Sequence, residues 1–297
     1  MMFVTRNGKE VDFVVASGAL GWDGNGWPWE RPLVKLGVID PSLFLITTKS
    51  LTRFINRGRW WAIQPVRGGV WNNMGLPNKG INWWLKNYKY LYCRGGGYGM
   101  GRKLLPYRTL VSIAPENESD AVYMLEECSK YELEGDPNFV GYEVNVSCPN
   151  TKKLSFDNIK EIVRTVGGGT SCSYATILKL NYQQAYYSAG FSDKELTELF
   201  PYVDAVSLNS APMPYEKGAY SGKPAQLYNW VTARHLQQDL GFKVIWPSLW
   251  EYEDIHRVAE QGAEAVSFGA VHLLRPWAPT RWVNRYLQEL KEGHHEI

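Results

Sequence analysis

The feature that most constrains the fold is a repeated pairing. A short, almost wholly apolar run is followed by an amphipathic stretch with helix-capping residues near its ends. Eight such runs occur, at residues 11–16, 43–48, 109–114, 142–147, 176–180, 205–208, 243–246 and 265–268. Most are continuous and not alternating, the pattern of strands covered on both faces. Helices are expected at 116–131, 155–166, 193–200, 224–239, 251–260 and 280–291. Their ends follow ordinary capping: Pro115 opens the first, Ser155 the second, Pro201 stops the third, and Gly241 and Gly262 follow the fourth and fifth. Strand–helix alternation favours parallel pairing, so the fold class is α/β. Eight strands in 297 residues favour a closed (β/α)8 TIM barrel over an open sheet. Residues 1–297 are expected to form one domain. Residues 54–105, with Gly-rich and Trp-rich pieces, break the alternation and are expected to hold excursions from the barrel.

Composition narrows function mainly by exclusion. With 44% apolar and 21% charged residues, the chain is no disordered polymer. A net charge of +2 gives no field to collect nucleic acid or an anionic membrane. No apolar run approaches the roughly 18–20 residues of a membrane span, and the N-terminus turns polar too soon for a signal peptide. Cys93, Cys128, Cys148 and Cys172 lack CxxC spacing, so a reducing cytoplasmic setting is expected. The histidines show no ligand spacing and no metal site is expected: His235 and His256 fall on expected helices, His294 and His295 in the tail. The glycine-rich run at 95–101 lacks the flanking strand and helix of a dinucleotide fingerprint and is read as a loop. Aromatics make up 14% of the chain, with pairs at Trp60-Trp61 and Trp83-Trp84; core and interface packing accounts for them first, ring stacking second.

A barrel carries its chemistry at the C-terminal ends of its strands. The residues expected there are Ala16-Ser17-Gly18, Thr48-Lys49-Ser50, Asn145 to Asn150, Lys179, Asn209-Ser210 and Gly269-Ala270. Singly, each has a plain structural role: a turn asparagine, a solvated lysine, a core cysteine. Jointly, two lysines, a thiol and several amides at one mouth suit a planar, anionic ligand with amide edges.

The segment Glu143-Val144-Asn145-Val146-Ser147-Cys148-Pro149-Asn150-Thr151 resembles the signature of the dihydroorotate dehydrogenases. These are FMN-binding (β/α)8-barrel enzymes of pyrimidine biosynthesis. Further pieces match in the family's order, from about residue 11 to about residue 271. They are Ala16-Ser17-Gly18, Thr47-Thr48-Lys49-Ser50, Asn72-Asn73-Met74-Gly75-Leu76-Pro77-Asn78, Leu178-Lys179-Leu180, Ser207-Leu208-Asn209-Ser210 and Ser221-Gly222. The resemblance implies that Cys148 is the general base taking a proton from C5 of dihydroorotate while C6 yields hydride to the flavin. It implies that Asn72, Asn145, Asn150, Asn209 and Ser210 hold the pyrimidine and its carboxylate, with Met74, Gly75 and Leu76 beside them. Lys49 is implied at both substrate and flavin, Lys179 at the flavin N1–C2 edge, and Ala16, Ser17, Gly18, Ser50, Asn145, Gly222, Ser248, Leu249, Gly269 and Ala270 around the cofactor. A cysteine at the base position is similar to the soluble enzymes. The motifs at 72–78 and 207–210 are most similar to their homodimeric class, which passes electrons to fumarate.

The pattern breaks where barrels of this kind bind phosphate, after the last two strands. Paired glycines and Gly-Thr are replaced by Trp246-Pro247-Ser248-Leu249-Trp250-Glu251 and Gly269-Ala270, and Pro247 has no backbone donor. The loop at 151–153 also lacks the family's Pro-Gly. Three outcomes stay open: FMN held by other donors such as the Ser248 N–H, Lys223 or Arg275; FMN held weakly; or flavin lost from a pyrimidine-shaped pocket. The alternative functions are a flavin enzyme for another dihydropyrimidine and a catalytically silent barrel that binds a pyrimidine or a protein.

Overall fold

The computed structural model describes residues 1–88, 90–91, 101–148, 154–168, 173–186, 190–208, 210–212 and 217–293, with 90, 91, 101, 102 and 293 described by backbone alone. Asn150, Asn209, Cys93, Cys172, His294, His295, the loop at 151–153 and the glycine-rich run up to residue 100 lie outside the described residues.

Eight strands close a barrel: β1 (Phe13–Val15), β2 (Leu45–Thr47), β3 (Thr109–Ile113), β4 (Phe139–Asn145), β5 (Ala175–Leu180), β6 (Ala205–Leu208), β7 (Val244–Trp246) and β8 (Ala265–Phe268). Each pairs in parallel with the next, and β8 closes on β1. All eight overlap the apolar runs of the sequence, β4 lying a few residues earlier than its run at 142–147. Every residue of β3, β4 and β5 is buried, which is why those runs do not alternate. The first run is shorter than expected. Its leading residue, Val11, joins Glu10 in a separate strand that pairs antiparallel with Phe3–Val4.

Helices follow the expected grammar. Asn117 caps Glu118–Lys130 through Asp120 N–H, and Ser155 caps Phe156–Gly167 through Asn158 N–H. The helix expected at 193–200 ends at Thr197 and resumes as a 3-10 turn at Phe200–Tyr202, around Pro201. The helix after β6, Lys223–Arg234, closes with a wider turn over His235–Asp239. The last helix, Ala278–Gly293, packs Val283 and Tyr286 into the core. No helix among the described residues is long and apolar enough to cross a membrane.

The excursions are real, and they are not confined to the first half. Ile63–Val66 and Gly69–Asn72 form a hairpin. Asn72 to Gly69 then pairs antiparallel with Ala219–Gly222, which pairs with Ala211–Pro212. This four-stranded sheet belongs half to residues 63–72 and half to the segment after β6. It contributes Ile63, Val70, Asn72 and Ser221 to the wall of the cavity at the barrel mouth.

Candidate active site

A cavity of about 310 Å³ lies at the C-terminal ends of the strands. Its floor comes from Ala16, Ser17 and Gly18 after β1, Lys49 and Ser50 after β2, Asn145 of β4, Lys179 of β5, and Gly269 and Ala270 after β8. Cys148, Ser210, Met74, Gly75, Leu76 and the sheet residue Asn72 complete it, and Trp27, Trp29 and Trp60 stand at its rim. Most residues singled out from the sequence therefore meet at one place. Gly222, Ser248 and Leu249 do not line it; Leu249 is instead 1% exposed within the core.

Beneath the cavity runs a chain of hydroxyls ending on an ion pair. The single Ser17 hydroxyl proton faces both the Thr48 carbonyl and Ser50 Oγ, each 2.9 Å away. Ser50 bonds Ser112 (2.8 Å), and Ser112 donates to Glu143 Oε1 (2.7 Å). Lys179 Nζ donates to the same oxygen at 3.1 Å, while Ser207 donates to Oε2 at 3.4 Å. Strand register explains the convergence: Glu143 sits opposite Ser112, and Lys179 opposite both Asn145 and Ser207. The side chains of Lys179 and Glu143 are each about 5% exposed, so neither charge is tolerable without the other.

Asn145 is more committed than the sequence suggests. Its Nδ2 donates to Ser50 (2.7 Å), and its Oδ1 accepts from the Ser147 hydroxyl (2.8 Å). It fixes the strand-4 loop carrying Cys148. Lys49 packs beside Gly18, whose φ of +79° favours glycine at that turn. The Lys49 Nζ lies 5.1 Å from the centre of the Trp60 ring. Burial pushes the Lys49 amine down to about 8; the nearby Cys148 charge pulls the other way, and Lys179 adds to the depression. Leu76 adopts a left-handed φ of +55° at the cavity edge. Its carbonyl is held by Asn78 Nδ2 (2.8 Å), a side chain only 1% exposed.

Three features escaped the sequence reading. Glu143 lay inside the quoted signature without a role, although a carboxylate within an otherwise apolar strand demands a buried partner. Ser112 gave no signal beyond a hydroxyl in an apolar run. The tryptophan rim could not be placed, because Trp27 and Trp29 lie on a segment with no periodicity. Trp27 stacks on Trp29 at 5.8 Å and meets Trp60 edge-on at 6.1 Å.

The ring of an FMN fits this donor set: two cations, amides and close backbone stand around a cavity wide enough for a planar heterocycle. Around the expected phosphate end, the N–H groups of Ser248 (φ +68°), Leu249 and Ala270 make no hydrogen bond among the described residues, while their neighbours are committed within the chain. Trp250 N–H and Glu251 N–H both donate to Asp254 Oδ2, at 2.8 and 3.0 Å. The Ser248 hydroxyl accepts from Asn229 Nδ2 (2.9 Å). Lys223 pairs with Glu251 at 3.2 Å, and Arg275 lies over Trp250 at 4.2 Å. Neither basic residue reaches the cavity wall.

Fold and cavity together define a parallel (β/α)8 barrel of dihydroorotate-dehydrogenase-like fold. One solved structure with this likeness is a ligand-free type DHODH from Eimeria tenella. It superposes with a TM-score of 0.61 at 15% identity, over 84% of this chain and 78% of that one. At such identity the likeness concerns fold alone. A 2,3-dimethylmalate lyase of the PEP mutase/isocitrate lyase superfamily aligns at a TM-score of 0.36 and 14% identity, over 62% of this chain and 60% of that one, too low to establish a shared fold. Neither a family model nor a curated protein matches the sequence.

Proposed function

We propose that this chain is a flavin-dependent oxidoreductase that converts dihydroorotate to orotate in pyrimidine (UMP) biosynthesis. One observation carries the reading: Cys148, Lys49, Asn72 and Lys179, far apart in sequence, line one ring-sized cavity at a barrel mouth. The flavin ring, when bound, supplies a two-electron acceptor. The chain does the rest. Cys148 Sγ takes the proton from C5 of the substrate as the C6 hydrogen leaves with its electron pair. Lys49, close enough to Cys148 for the two to interact electrostatically, sets a cation beside the base and draws the substrate carboxylate inward. Lys179, anchored by Glu143, keeps a fixed positive charge at the cavity floor. The tryptophan rim and the antiparallel sheet narrow the access of water. In this reading the chain works in the cytoplasm as a homodimer and fumarate takes the electrons, on the strength of the motifs at 72–78 and 207–210.

The test is anaerobic mixing of flavin-loaded protein with dihydroorotate and, separately, with dihydrouracil, following the visible flavin band. Bleaching by dihydroorotate alone is expected. Bleaching by dihydrouracil at an equal rate would reassign the substrate to a dihydropyrimidine lacking the carboxylate. Orotate binding with no flavin uptake would instead favour a silent pyrimidine-binding barrel.

A further inference from the structure

We infer that the rim of the cavity mouth, at residues 54–63, docks the chain on an anionic lipid surface. The inference goes beyond the proposed reaction and stands whichever substrate the cavity takes. The net charge of +2 hides a segregation of charge. Residues 41–115 hold twelve lysines and arginines and no aspartate or glutamate. From totals of 32 and 30, the rest of the chain is left with twenty basic against thirty acidic residues. A field that nearly cancels over the whole molecule is therefore positive over one part of it.

The exposed part of this stretch borders the mouth. The Ala62 N–H donates to the Arg59 carbonyl at 3.0 Å, which closes a turn with Trp60 and Trp61 at its tip. Trp61 is 78% exposed, and Trp29 is 68% exposed. Trp60 joins them to the cavity: it lines the wall and meets Trp27, on which Trp29 stacks. Phe54 and Ile55, the latter 66% exposed, extend the apolar surface. Mutual backbone hydrogen bonds between Asn56 and Asn78 set Ile55 beside Lys79. Arg57, Arg59 and Lys79 are exposed around these side chains and pair with no carboxylate among the described residues. Such partners as they have are neutral: Arg59 donates to the Asn73 carbonyl (2.9 Å), and Lys79 lies 4.6 Å from the centre of the Trp83 ring. Arg53, by contrast, pairs with Asp120 at 3.2 Å.

An exposed apolar surface of this kind marks an interaction site, and its chemistry selects the partner. A second copy meeting it face to face would set unpaired cations against their own kind. Single-stranded nucleic acid would stack its bases on the indoles, but Ile55 offers no ring face and gains nothing from a base. A lipid surface uses every component. Indoles settle at the headgroup level, aliphatic side chains enter the acyl boundary, and unpaired arginine and lysine meet anionic headgroups. Apolar insertion and basic attraction together give the two signals that peripheral attachment needs. Through Trp60, docking on this face brings the cavity mouth against the headgroup layer.

Co-sedimentation of the purified full chain with lipid vesicles tests this. Phosphatidylcholine vesicles containing about 30% phosphatidylserine, at about 150 mM salt, should carry the chain down, and phosphatidylcholine alone should not. Raising the salt to about 0.5 M should weaken the attachment. Each basic residue near an anionic surface adds about fivefold to binding. Arg57→Glu, a change of two charges, should therefore weaken it by about 25-fold, and adding Trp61→Ser should weaken it further. Neither side chain lines the cavity and both are exposed, so circular dichroism should show the parent's fold. The inference is overturned by the absence of phosphatidylserine-dependent sedimentation, or by a double variant that binds vesicles as the parent does. A face that binds single-stranded RNA and not vesicles would belong to nucleic acid. One whose double variant changes only the oligomeric mass would belong to a second copy, and either result overturns the inference as well.

Discussion

The buried pair Lys179–Glu143 offers the sharpest test of how the cavity floor is built. Glu143→Gln keeps the shape and the Ser112 hydrogen bond but strips Lys179 of its counter-charge. Lys179→Met leaves the Glu143 carboxylate with only the hydroxyls of Ser112 and Ser207. With both side chains about 5% exposed, water compensates neither loss. Breaking one side of such a pair costs about 3–5 kcal/mol. An unfolding entropy near 2.1 cal/mol/K per residue, carried over 297 residues, turns that into a fall in Tm of about 5–8 °C. The double variant Glu143→Gln/Lys179→Met leaves no lone charge, so its loss should not exceed that of either single. Thermal melts followed by circular dichroism at pH 7 give the comparison, with urea titrations where heating is irreversible. Singles melting within about 2 °C of the parent, or a double whose loss is the sum of both singles, would refute the argument that the two charges depend on each other.

Three further outcomes follow from the same geometry. Cys148→Ala should retain orotate binding while slowing flavin reduction by dihydroorotate by about 10²–10⁴-fold, the usual weight of a general base; single-turnover absorbance reads it, and an unchanged rate removes Cys148 from the chemistry. Lys49 is an ammonium below about 8 and neutral above it. Affinity for the orotate carboxylate should therefore decline as pH rises from 8 to 9, by up to about tenfold, and Lys49→Gln should abolish that slope in a calorimetric titration. His272 is fully buried between Phe44 and Phe268, with both ring nitrogens unpartnered, and burial pushes it down to about 3. The unfolded chain binds its proton near pH 6.5 and the folded chain does not, so stability is lost as pH falls below 6.5, by about 1.4 kcal/mol per unit. His272→Phe should flatten the denaturant midpoint between pH 6.5 and 4; a slope equal to the parent's would sink the assignment.

The barrel was legible in the sequence because burial on both faces leaves an unmistakable trace. Residues 139–145 and 175–180 are covered on every side, and each reads as an apolar run. The antiparallel sheet left no such trace. Its strands are two to four residues long, Ile63–Val66 is largely exposed and contains Pro65, and its partners lie on the far side of the barrel in sequence. The gathering of Cys148, Lys49 and Lys179 followed from strand-end placement, whereas Asn72, on the antiparallel sheet, came only with the family resemblance. The ion pair beneath them did not, since nothing in a linear reading says that Glu143 and Lys179 point at each other. The loss of the phosphate glycines was visible, but not what replaced them. That Asp254 takes the Trp250 and Glu251 N–H groups, and that Arg275 covers Trp250, depends on a helix start and a distant arginine meeting in space.

The ladder joining Gly69–Asn72 to Ala219–Gly222 has a consequence for how the molecule is made. Asn72 pairs with Ala219, 147 positions along the chain. Closing so long a loop is entropically unrewarded until the intervening strands have already drawn the two segments together. The outer wall of the pocket is accordingly expected to form only after the strands between residues 72 and 219, and its short, partly exposed strands to open under milder denaturation than the buried barrel strands. A ligand that touches both wall and floor acts as a clasp, adding its binding energy at the point where the native state is least secured.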